Sequence, residues 1–171
     1  MSRTTIKNGI TCEKNEGTFR FSFTGPLKKT NLLEILEKNL FYDLLYHLNN
    51  DCIEKIEVER KGDLDTVLIM LFINYLVDDN DEDTQLYIPL VNKTTITGSH
   101  VEIQGQHNAT FITENAIKLT NFHMTLDFLP EAWSFVLKVD LTEKMNILKS
   151  NAFCLTIQKI FGRLKTYSET L

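Results

Sequence analysis

The chain is short of the residues that build specialised sites. Its three cysteines, Cys12, Cys52 and Cys154, stand far apart with no CxxC pair. That spacing excludes a disulfide framework and a zinc ribbon, and it predicts a reducing compartment. Seven glycines and three prolines in 171 residues leave no linker-like stretch, and no internal repeat, low-complexity segment or sustained heptad occurs. Neither GxGxxG nor GxxxxGK[ST] is present, so no glycine-rich phosphate cradle is expected. The opening MSRTTIKNGITCEK carries charge but no apolar leader core, and the longest apolar stretch, Val67 to Val77, is broken by Asn74 and too short to span a bilayer. A cytoplasmic protein is expected.

Positive charge is also scarce. The net charge is −5 and the isoelectric point about 5.4, which opposes nucleic-acid binding through a basic surface. No sequence-specific nucleic-acid contact is expected. The charge is uneven, however: residues 1–131 hold 12 Lys and Arg against 20 Asp and Glu, and residues 132–171 hold 6 against 3. Such asymmetry marks an end suited to an anionic membrane or an acidic protein surface.

What is present suits a globular core. A composition 43% hydrophobic and 24% charged at this length predicts one domain, residues 1–171, burying roughly two-thirds of the surface of the unfolded chain. Phe19, Phe21 and Phe23 alternate with Arg20, Ser22 and Thr24, the period of a strand with one buried face. Over residues 31–48, Leu32, Leu33, Leu36, Leu40, Phe41, Leu44, Leu45 and Leu48 form a broad helical stripe, with Asn31 and Glu34 spaced as a cap. Ile56 and Val58 predict a further strand, closed by the turn at Lys61-Gly62-Asp63. Residues 66–77 are apolar on every side, so period cannot separate a buried helix from a central strand; Asp65 as a cap and the Leu and Met content favour helix.

Downstream, QLYIPLVNKTTITG, HVEIQG and ATFIT read as short strands. Phe122 to Phe128 and Trp133 to Val139 alternate on either side of Leu129-Pro130-Glu131-Ala132 as a long hairpin with an aromatic face. Phe153, Ile157, Ile160, Phe161 and Leu164 lie at helical spacing and can cover it, with Thr142 and Ser150 as possible caps. Residues 166–171 are expected to fray. The fold class expected is α+β: an antiparallel sheet covered by an amphipathic helix near the N-terminus and a C-terminal helix.

The residues capable of chemistry form no catalytic pattern. VDDNDED, residues 77–83, is the densest acidic run, but read as a calcium loop it lacks the glycine at the sixth position and the glutamate at the twelfth. His100, Glu102 and His107 do not have the HExxH spacing, and Ser99-His100 is accompanied by no nucleophile elbow. Cys154, among Phe153, Leu155 and Ile157, reads as an inert core thiol. The sequons at Asn92 and Asn108 matter only to a secreted chain. A non-enzymatic protein without cofactor or metal is expected.

The order of elements, an opening strand TFRFSFTGP, an amphipathic helix, short strands, the hairpin NFHMTLDFLPEAWSFVLKVDL and a closing helix, resembles that of rhabdovirus matrix proteins. Size and richness in Asn, Ile and Lys resemble the plant-infecting members. The chain departs from the animal-virus members in lacking a basic N-terminal arm and PPxY or PSAP motifs. The resemblance implies a structural protein that self-associates and bridges nucleocapsid and membrane during virion assembly. Candidate interaction residues are the basic Lys149, Lys159, Arg163 and Lys165 and the acidic Asp78, Asp79, Asp81, Glu82 and Asp83, paired between neighbouring molecules. The alternative is a cytosolic or host-modulating module that docks a protein partner.

Overall fold

A computed structural model of the protein describes residues 3–29, 31–73, 84–111, 116–143 and 145–170. Three strands open the chain: β1 (Arg3–Lys7), β2 (Ile10–Asn15) and β3 (Thr18–Pro26). Two short helices follow, α1 (Leu32–Glu37) and α2 (Phe41–Leu48). Six more strands come next: β4 (Ile53–Lys61), β5 (Leu64–Ile73), β6 (Thr84–Thr97), β7 (His100–His107), β8 (Leu119–Phe128) and β9 (Ala132–Leu141), before the long helix α3 (Ile147–Glu169). Among the described residues the strands form one nine-stranded sheet in the order β1-β2-β3-β9-β8-β7-β6-β5-β4, and every neighbouring pair is antiparallel.

Local chemistry sets the turns. Lys7 pairs with Ile10 across Asn8-Gly9, where φ is +55° and +78°, the pair of positive angles that a two-residue hairpin demands and that Asn-Gly supplies cheaply. The helix expected over residues 31–48 is broken in its middle. Asn39 has φ +62°, the Leu40 N–H reaches the Ile35 carbonyl at 2.9 Å, and the Asn39 N–H reaches that of Leu36 at 3.1 Å. This is a Schellman stop, for which asparagine is the usual substitute for glycine. The cap expected at Asn31 makes no side-chain hydrogen bond.

These observations correct the expected architecture. The dominant element is the large sheet, and the N-terminal helical stripe is two short pieces linking β3 to the far edge strand β4. The run expected as helix from residue 66 is strand β5 through Ile73, paired with β4 and with β6. It is apolar on both sides: Val67 and Leu71 are buried in the core, while on the other side Leu68 and Met70 are half-buried, Met70 lying opposite Tyr87, whose ring stands 6.1 Å from that of Phe111. The backbone of Ile117 is held against the same place by a 2.8 Å bond to the Tyr87 carbonyl.

The long hairpin is present, in the register Met124 to Leu137 and Leu126 to Phe135. Its aromatic face is covered by α3, with Phe135 4.6 Å from Phe161, and the neighbouring β3 is covered likewise, with Phe19 5.2 Å from Phe153, measured between ring centres. The cap of α3 is Asn146, whose side chain accepts from the Lys149 N–H at 2.7 Å; Ser150 lies buried within the helix. The residues expected to fray remain helical through Glu169. α3 touches β1, β2 and β3 at one end of the strand order and β5 near the other. The sheet therefore curls around the helix.

Candidate functional site

Alternation along the strands aims every second side chain at α3, and the curl leaves a gap beneath the helix. The resulting cavity of about 40 Å³ is lined by Phe21 of β3, Leu71 of β5, Met124 of β8, Leu137 of β9, and Ile157 and Ile160 of α3, with Tyr42 and Leu45 from α2. Every lining residue except Tyr42 is a hydrocarbon, thioether or phenyl side chain. Such a space offers a ligand dispersion and shelter from water, with no charge to orient it.

Polarity is concentrated around Tyr42. Its phenol oxygen accepts from Asn92 Nδ2 at 2.6 Å, and burial pushes its pKa well above the usual range, so it stays protonated. Asn92 lies opposite Asp65 in the β5–β6 ladder, and each is 1% exposed. Asp65 receives Arg60 Nε at 3.0 Å on Oδ1, while its Oδ2 and the Asn92 Oδ1 have no protein partner. Asn92 fits there because residue 105 is glycine: a Cβ at Gly105 would fall 1.8 Å from Asn92 Oδ1. Sequence reasoning missed this cluster, taking Asp65 for a helix cap and Asn92 for a sequon. A carboxylate and an amide at core-facing positions of adjacent strands were the available signal.

The basic residues proposed for intermolecular contact are largely engaged within the chain. Arg163 grips Asp51 in a two-pronged pair, the Nη2 contact being 2.8 Å, and Lys159 Nζ lies 3.2 Å from the same carboxylate. Hydrogen bonding from Arg163 holds the Asp51 carboxyl far below the usual range, with Lys159 adding to it. Arg163 also donates to Asn49 Oδ1 at 3.3 Å, so the α2–β4 turn is tied to the middle of α3. Lys165 pairs with Glu169 one turn along, and Lys149 occupies the first turn of α3. Asp78, Asp79, Asp81, Glu82 and Asp83 lie outside the described residues.

On the outer face of the sheet, His100 Nδ1 is 2.5 Å from Asp127 Oδ1 and its Nε2 is 3.3 Å from Glu102 Oε1. The two carboxylates, Asp127 foremost, raise its pKa. Ser99 is not its partner. Among the described residues no group of three His, Cys, Asp or Glu side chains is disposed to hold a metal ion, and no helix is long and apolar enough to cross a membrane.

No protein-family model matches the chain, and no curated protein sequence matches it. Solved structures do. A StAR-related lipid transfer protein from Xanthomonas axonopodis superposes with TM-score 0.61 at 11% identity, over 98% of this chain and 97% of that one. Human StAR-related lipid transfer protein 5 gives TM-score 0.65 at 9% identity, over 98% and 86%. The lipid transfer and protein localization domain of human StarD13 gives 0.64 at 8% identity, over 100% and 90%. The chain thus has the fold of the StAR-related lipid transfer proteins: a long antiparallel sheet closed on a C-terminal helix. This overturns the resemblance to rhabdovirus matrix proteins, and with it the reading as a virion-assembly protein. The protein-docking alternative gains no support from these neighbours.

Proposed function

We propose that the protein binds a lipid or similarly apolar small molecule between the curled sheet and α3. The observation that carries this reading is the lining beneath α3, apolar but for Tyr42, on a fold shared with proteins described as lipid transfer proteins. No reacting group faces the cavity, so the role is carriage or sequestration of the ligand. A space of about 40 Å³ is far below the roughly 300 Å³ at which ordinary ligand pockets begin. Binding therefore requires α3 or the α1–α2 segment to move outward, and the structure represents the closed state.

The test is direct. Delipidated protein is titrated with fluorescent phospholipid, sterol and fatty-acid probes, and organic extracts of the freshly purified protein are analysed by mass spectrometry. Saturable one-to-one binding of at least one probe, abolished by Ile157→Trp in a variant that still melts cooperatively, is expected. Absence of any saturable binding together with a lipid-free extract overturns the proposal.

A further inference from the structure

Two of the three cysteines, far apart in the chain, are brought together by α3. Cys12 on β2 is the cross-strand partner of Thr5 on β1, and Cys154 Sγ lies 3.9 Å from Thr5 Oγ1. One turn further along the helix, Gln158 Nε2 donates to the Ile10 carbonyl at 3.0 Å and to the Thr5 carbonyl at 3.3 Å, which pins this stretch of α3 on the N-terminal hairpin. Cys12 and Cys154 thus converge on the same Thr5 side chain, one from across the hairpin and the other from α3. We propose that Cys12 and Cys154 form a peroxide-sensitive dithiol whose oxidation to a disulfide staples α3 to the β1–β2 hairpin.

The pair is chemically matched. The Thr5 hydroxyl, 3.9 Å from Cys154 Sγ, is placed to donate to a thiolate there, and Cys154 is the less buried of the two cysteines, so Cys154 is the sulfur that meets the oxidant first. That thiolate attacks one oxygen of hydrogen peroxide, the O–O bond breaks, hydroxide leaves, and Cys154 becomes a sulfenic acid. The Cys12 sulfur then attacks the Cys154 sulfur, the S–O bond breaks, and water leaves as the S–S bond forms. In sum, two thiols and one peroxide yield one disulfide and two waters.

Cys154 is 8% exposed and Cys12 1%, so oxidant reaches them through the covering hairpin. β1 is an edge strand exposed along its whole length, the kind of element that opens locally at low cost, and peroxide is little larger than water. Cys52 is the internal control: it is buried at the α2–β4 turn, where its Sγ lies 3.6 Å from the Asn49 carbonyl, and it has no thiol neighbour among the described residues. Any slowing of ligand exchange by the staple rests on the lipid-binding reading; formation of the bond does not.

The experiment is non-reducing peptide mapping of the full chain after graded hydrogen peroxide, with thiols counted in denaturant. Three free thiols before treatment are expected to fall to one, with the Cys12 and Cys154 peptides joined at a mass two hydrogens below their sum. A rise in melting temperature that dithiothreitol reverses is expected alongside. Cys52→Ser keeps the cross-link, whereas Cys12→Ser and Cys154→Ser lose it. Separate over-oxidation of Cys154 to the sulfinic acid, linkage through Cys52, or survival of all three thiols at peroxide levels that oxidise methionine overturns the proposal. Because the mapping uses the unmutated protein, a variant that fails to fold leaves the result intact.

Discussion

Trp133 Nε1 donates to Ser168 Oγ at 2.9 Å, deep in the interior, and so joins β9 to the last turn of α3. The carbonyl of the same serine accepts the N–H groups of Lys28 at 2.7 Å and Lys29 at 3.1 Å. Ser168 thereby gathers the segment after β3, the start of β9 and the end of α3. Ser168→Ala strands a buried indole N–H, an omission that costs about 1 to 3 kcal/mol. Urea denaturation should show a loss in that range with an unchanged m-value; a loss below a few tenths would mean that water takes the serine's place.

Asp51 and Arg163 offer a second tie, closer to solvent. The Asp51 pKa is depressed by Arg163 and then by Lys159, so its contribution to stability is fully present above the unfolded carboxylate pKa of roughly 3.9. It is lost as pH falls through the lower folded value. The Asp51 side chain is 48% exposed, so screening limits the contribution to about 1 kcal/mol or less. Asp51→Asn should lower stability by that amount at pH 7, and the gap between variant and parent should narrow on acidification. A gap that stays constant down to the acid transition would show that the ion pair is not its source.

Gly162 stands in the middle of α3, where glycine costs about 1 kcal/mol relative to alanine. The helix accepts that cost because a Cβ there would fall 2.6 Å from Asn8 Cβ and 2.9 Å from the Asn8 carbonyl oxygen. Gly162→Ala should therefore destabilise the protein despite its better helix propensity, by the 1 to 3 kcal/mol typical of forced overpacking. Stabilisation instead would mean that the β1–β2 turn yields freely.

How far the sequence disclosed this arrangement depends on which faces are wet. β3 and the β8–β9 hairpin have one solvated face, so Phe19, Phe21, Phe23 and the residues from Phe122 to Val139 alternate and are legible. The apolar stripe of α3 is legible for the same reason. β5 carries apolar side chains on both faces, with Leu68 and Met70 half-buried on the outer one, so the alternation is erased and the run imitates a buried helix. Asn8-Gly9 is a strong hairpin signal, but its flanking strands are short and polar, and no sheet was expected there. The cavity was illegible because its lining comes from eight separate elements; each lining residue reads as ordinary core until the strand order is known.

His100 supplies a spectroscopic check on the outer face. Asp127 first and Glu102 second raise its pKa above 6.5, with His123 also within 3.7 Å of Glu102. A raised pKa stabilises the fold below the unfolded value, and that contribution disappears as pH rises through the folded one. An NMR titration of the imidazole should have a midpoint above 6.5, moved downward by Asp127→Asn. Equal midpoints in parent and variant would dissociate the pair in solution.

If ligand reaches the cavity when α3 lifts, the Asp51–Arg163 tie resists that motion and ligand exchange reports on it. Arg163→Ala removes the tie, and Arg163 is not among the residues lining the cavity. Weakening the closed state by about 1 kcal/mol multiplies the open fraction roughly fivefold. Stopped-flow measurement with a fluorescent lipid should then show association and dissociation both faster by about that factor, with the dissociation constant nearly unchanged. Unchanged rates in a variant that has lost stability would place the opening away from the Asp51–Arg163 tie.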